Sequence, residues 1–69
     1  MTARELVVIA DKIREEQGLT ATGWGVLAGF EDKGGKVSRM YSRGNCKLDT
    51  MIQLLDPLGY ELVIRKVEK

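Results

Sequence analysis

Apolar positions recur along this chain in two different rhythms. Leu6, Ile9, Ala10 and Ile13 fall at helical spacing, and Val7 widens that apolar face. Thr2-Ala3-Arg4-Glu5 ahead of them has the form of a capping box, with Thr2 as N-cap and Glu5 at N3. Gly18 is a natural residue for the position just past a helix end. Together these predict a helix over about residues 3 to 17. Thr20 then offers a second N-cap, Leu19 can staple onto Trp24, and Trp24, Leu27 and Ala28 share one helical face. Gly23 and Gly25 oppose this second helix, each costing about 1 kcal/mol against alanine in a helix interior. They also permit another helix to approach closely. A β-hairpin, with GWGVLAGF and KVSRMYS flanking EDKGG, is the competing reading of this stretch.

EDKGGK is a turn by composition. Val37, Met40 and Tyr41 predict a short helix over about 35 to 43, ended by Gly44-Asn45. Leu48, Met51, Ile52 and Leu55 predict another over about 47 to 56, closed by Asp56-Pro57-Leu58-Gly59 because proline cannot extend it without losing a backbone bond. At YELVIRKV the rhythm changes to alternation in a segment rich in β-branched residues, which predicts a strand over 60 to 67. Alternation puts Tyr60, Leu62, Ile64 and Lys66 on one face, and burying Leu62 and Ile64 against the helices would contribute roughly 2 kcal/mol each. A lone strand leaves backbone groups unpaired, and the chain offers no second one. The simplest partner is the same strand of a second subunit, antiparallel about a two-fold axis. Tyr60, Leu62, Val63 and Ile64 are therefore the expected dimerisation residues.

Charge changes the picture. The 69 residues carry 11 Lys and Arg against 10 Asp and Glu, a formal net charge of +1. That near-neutrality hides an asymmetry: Lys33, Lys36, Arg39, Arg43 and Lys47 fall within residues 33 to 47, with no carboxylate among them, while carboxylates outnumber cations on both sides. Such a local basic segment is the footprint of a polyanion-binding surface, although a basic helix face is also often merely solvated.

Composition excludes several chemistries. With no histidine, a His-based metal site, a Ser-His-Asp triad and a Cys-His pair are all ruled out. Cys46 has no cysteine partner within the chain and reads as an incidental thiol, although Lys47 beside it could lower its pKa. Glu15 and Glu16 read as a solvated helix face, Trp24 as core, and Tyr41 as semi-buried with a hydroxyl able to reach phosphate or water. No apolar run of about 20 residues spans a membrane, and the N-terminus lacks the pattern of a signal peptide. The expectation is a single domain over 1 to 69, in a reducing, cytoplasmic setting, with no enzymatic activity and no cofactor.

Leu19-Thr20, Gly29, Val37-Ser38-Arg39-Met40, Leu48-Asp49-Thr50-Met51 and Leu58-Gly59-Tyr60-Glu61-Leu62 stand in an order and spacing that resembles the lambda-repressor-like helix-turn-helix domain of Cro/CI type, the XRE family. The likeness covers about residues 4 to 62, and the C-terminal segment resembles that of HipB-like antitoxin and phage repressors. Three features depart from the family's pattern. Trp24-Gly25 stand for the usual Leu-Ala, the turn through Glu31 to Gly35 is about two residues longer, and Ala21 stands where a DNA-contacting glutamine is common.

The resemblance implies a mainly α fold of four to five helices with a C-terminal β-strand. It also implies a transcriptional regulator that binds a near-palindromic operator in double-stranded DNA as a homodimer. The family's base-facing positions fall near Gly34, Gly35, Lys36 and Arg39, with Lys33 nearby. Glycine offers no side chain to a base, so recognition would fall to Lys36 and Arg39, while Arg43, Lys47 and Ser38 suit phosphates. The alternative is a protein-interaction module on the same scaffold, an antitoxin or inhibitor whose partner is a cognate toxin or other protein.

Overall fold

The computed structural model describes residues 1 to 67, so residues 68 and 69 of the expected domain lie outside the described residues. Four helices follow one another, α1 (Ala3–Glu16), α2 (Ala21–Leu27), α3 (Gly35–Arg43) and α4 (Leu48–Leu55), and a single 3-10 turn at Asp56–Leu58 closes the last. None of the described helices is long and apolar enough to cross a membrane.

Local chemistry sets the helix ends. The Thr2 hydroxyl accepts from the Glu5 N–H at 3.1 Å, and the Glu5 carboxylate accepts from the Thr2 N–H at 3.4 Å, which completes the capping box of α1. The Thr20 hydroxyl accepts from the Gly23 N–H at 3.0 Å at the start of α2. Gly44 takes up the left-handed conformation that stops α3, and its N–H reaches back to the Met40 carbonyl at 2.8 Å.

Residues 23 to 27 are helical, so the hairpin reading is wrong. The Thr20 cap and the burial of Trp24 on one helical face outweigh the two glycines. Trp24 is 0 % exposed, and its indole N–H donates to the Leu54 carbonyl at 2.7 Å, tying α2 to α4. Leu19 packs part-buried against the same core, as a staple residue does. Gly25 does permit a close approach, but of a turn rather than a helix. A Cβ there would overlap the Lys33 carbonyl oxygen and lie 2.6 Å from its carbon.

The core consists of Val7 and Ala10 from α1, Trp24 and Ala28, Phe30 from the turn, Val37 and Met40 from α3, and Met51, Leu54, Leu55 and Leu58. Two apolar faces are rotated from those expected. On α1, Val7 and Ala10 are buried and Ile9 is exposed. On α4, Leu54 joins Met51 and Leu55 inside, while Leu48 and Ile52 stand exposed. Each helix has more apolar side chains than its buried face accommodates, so periodicity alone left the rotation open by about one position.

Among the described residues there is no strand. After the Tyr60 N–H donates to the Leu55 carbonyl at 3.1 Å, residues 61 to 67 make no backbone hydrogen bond among the described residues. The expected burial of Leu62 and Ile64 against the helices is also corrected: Ile64 is 102 % and Leu62 39 % exposed. A ladder needs a second strand, which a single copy does not supply.

Candidate nucleic-acid interface

The helical body positions α3 from both flanks. On one side, the Tyr41 hydroxyl donates to the Asp11 carboxylate on α1. Asp11 also accepts from Arg14 Nε at 2.8 Å, and Arg14 Nη1 donates to the Leu19 carbonyl at 2.6 Å. This chain of bonds joins α3, α1 and the entry to α2. Burial and then the Asp11 bond push the Tyr41 phenol up to about 12, so it stays a donor at neutral pH. Burial raises the Asp11 carboxyl, but the bonds from Arg14 and Tyr41 and the Arg14 charge outweigh it, and the net shift is downward. Tyr41 is thus engaged with α1 rather than left for a phosphate.

On the other flank, Gly25 admits the Lys33-Gly34 backbone, which sets where α3 begins. Lys33 holds the left-handed conformation at φ 55°, a position where glycine is the usual residue.

Val37 and Met40 form the buried side of α3. At about 100° per residue, Gly35, Ser38, Arg39 and Ser42 lie opposite them and face outward. Lys36 and Arg43 occupy the border toward α4. There, Lys36, Arg39, Arg43 and Lys47 line one open cleft of about 260 Å³, with Asn45 and Thr50 as polar neighbours and no carboxylate. Lys47 is the N-cap of α4, which has no side-chain cap, and Asp49 lies in the first turn of that helix.

The sequence-derived set therefore divides. Lys36, Arg39, Arg43 and Lys47 come together in the cleft. Gly35 and Ser38 lie on the outward face, and Lys33 is exposed in the preceding turn. Lys36 is less free than expected, because its Nζ sits 4.8 Å from the centroid of the Phe30 ring. Arg39 is also engaged, donating to Asp32 Oδ2 at 2.7 Å. Tyr60, Leu62, Val63 and Ile64 are exposed and join no site within the single chain.

Sequence reasoning missed Ser42, Asn45, Thr50 and Arg4. Spacing from Ser38 and Arg39 would have found Ser42. Asn45 and Thr50 depend on how α4 follows α3, and Arg4 depends on tertiary packing. A Cβ on Gly44 would meet the Arg4 guanidinium carbon at 2.7 Å, so this cation from α1 rests against the end of α3, where the helix dipole is negative. The notion that Lys47 lowers the Cys46 pKa is corrected as well, since burial pushes that thiol up.

Among the described residues, no group of three or more His, Cys, Asp or Glu side chains is placed to hold a metal ion. No family model, no curated protein and no solved structure matches this chain.

Proposed function

We propose that this chain is a sequence-specific DNA-binding transcriptional regulator, a small repressor of phage, antitoxin or mobile-element type. The observation that carries the reading is the cleft lined by Lys36, Arg39, Arg43 and Lys47, with the nearby Asp32 carboxylate paired to Arg39 outside the lining, beside an outward helical face of small side chains. α3 enters the major groove, where Gly35, Ser38 and Ser42 let the backbone come close to the base edges and Arg39 supplies the donor fork for guanine. Arg43 and Lys47 take phosphates and fix the register without specifying sequence. Lys33, a cation in a left-handed turn position beside two glycines, adds a further phosphate contact. The resemblance to lambda-repressor-like domains supports the same assignment. The test is titration of fluorescent duplex DNA at increasing salt: a complex that weakens steeply supports it, and no complex at low salt refutes it.

The regulator acts as a homodimer on a near-palindromic operator, with residues 60 to 67 of two copies paired antiparallel. In favour of this stand the backbone of residues 61 to 67, unpaired among the described residues, and the exposed Val63, Ile64 and Val67. Such pairing sets two α3 helices about one DNA turn, roughly 34 Å, apart. Deleting residues 60 to 69 is expected to give a folded monomer by light scattering. A truncated chain that remains a folded dimer rules out this interface.

The exposed Val26, Leu27, Leu48 and Ile52 favour a second reading, a module that holds another protein such as a toxin. Apolar association of that kind is insensitive to salt in the range that dissolves a DNA complex, so the same titration separates the two.

A further inference from the structure

Among the described residues, the five cations of residues 33 to 47 make a single ion pair, Arg39 with Asp32. Asp32 lies in the turn before α3, seven positions earlier, and reaches Arg39 across Gly35. A Cβ on Gly35 would stand 2.9 Å from Asp32 Oδ2 and 3.0 Å from its Cγ. Glycine on the outward face of α3 therefore has a specific consequence: it leaves room for a carboxylate to lie across the first turn and hold an arginine one helical turn further on. The carboxylate also suits the positive end of α3. Asp32 Oδ2 takes one bond from Nη2, and an arginine fork has further donors to present outward.

We propose that Asp32 is a specificity-determining positioning residue. Resting on the DNA-binding reading above, the proposal is that Asp32 holds the Arg39 fork in one pose for the O6 and N7 edge of a guanine and withholds it from phosphates. Stability gives this pair little reason to exist, because the Arg39 and Asp32 side chains are 56 % and 38 % exposed, and exposed pairs contribute little. Its effect falls on recognition instead. A free arginine on a solvated helix takes whichever phosphate is near, so it tightens all sequences alike. A tethered one lowers the entropy lost on engaging the base and is less available to a misplaced phosphate.

The experiment compares the wild-type chain with D32N, R39A and the double variant. The probes are a duplex that the wild type selects from a randomised pool and a random-sequence duplex, both read by fluorescence anisotropy. D32N is expected to lower the selected-to-random affinity ratio about tenfold, mainly by tightening random binding. Its salt dependence on random DNA should steepen by about 0.9 in log–log slope per protomer, about 1.8 for the dimer, as each Arg39 becomes available to a phosphate. In the R39A background, D32N should leave the ratio unchanged, a result that a general charge effect or a folding defect would not produce. A D32N ratio equal to that of the wild type, or an equal change with and without Arg39, overturns the role of Asp32 and leaves the DNA-binding reading intact. A wild type that binds no duplex at low salt overturns both.

Discussion

Replacing Trp24 with alanine is expected to leave the chain unfolded at room temperature. The side chain is fully buried, and its indole N–H bridges from α2 to the Leu54 carbonyl on α4 at 2.7 Å. Truncating a buried aromatic to alanine costs about 3 to 5 kcal/mol through lost transfer energy and the cavity left behind. The orphaned carbonyl adds about 1 kcal/mol or more unless water enters. A 69-residue domain has roughly 3 to 10 kcal/mol in total, so the loss takes most or all of it. Far-UV circular dichroism on heating measures this directly. Loss of the cooperative transition is the expected result, and a melting point within a few degrees of the wild type would show that Trp24 does not hold the helices together. Trp24→Phe keeps most of the apolar volume and loses only the indole bond, so it should fold with a stability lower by about 1 to 2 kcal/mol.

Gly25→Ala is the second large effect, and its sign runs against helix propensity. In an unencumbered helix interior this change stabilises by about 1 kcal/mol. Here the new Cβ overlaps the Lys33 carbonyl oxygen and lies 2.6 Å from the Lys33 carbon and 3.2 Å from the Gly34 nitrogen. All of these are backbone atoms, so the turn into α3 must move. Forced overpacking of this kind costs about 1 to 3 kcal/mol or more. Gly23→Ala is the matched comparison, because its Cβ meets only the Thr20 hydroxyl, at 3.1 Å. Urea midpoints should fall sharply for Gly25→Ala and change little for Gly23→Ala. If both variants are stabilised equally, the close approach of the turn to α2 is wrong. Because the same turn carries Lys33 and starts α3, the Gly25 variant should also lose DNA affinity under conditions where it remains folded.

The features legible in the sequence were the local ones. A capping box, a threonine N-cap, glycines past helix ends and Pro57 act over a few residues, so they place four helices without knowledge of the rest. Which side of each helix turns inward is a tertiary matter. Ile9, Leu48 and Ile52 fit an apolar stripe yet face outward, because Val7, Leu54 and Leu58 occupy the available core. For YELVIRKV, alternation is a local property but a ladder is a relation between two segments, and one copy contains only one of them. The cationic cluster was visible as a run of charge. Its internal order was not. Asp32 belongs by position to the acidic first half of the chain, and only the turn across Gly35 brings it to Arg39. Likewise Arg4 and Tyr41 are fixed by contacts 30 or more residues apart in sequence, which spacing cannot reveal.

The measurement that bears most directly on DNA as the partner is the salt dependence of duplex binding by the wild-type chain. Each phosphate neutralised by a lysine or arginine releases counterions and contributes about 0.9 to the slope of log K against log salt. If four to six of Lys33, Lys36, Arg43, Lys47 and their counterparts in the dimer meet phosphates, the slope should be roughly −4 to −5. A slope near zero, or no complex at about 50 mM salt, contradicts a phosphate-facing role for the basic cleft and with it the proposed function.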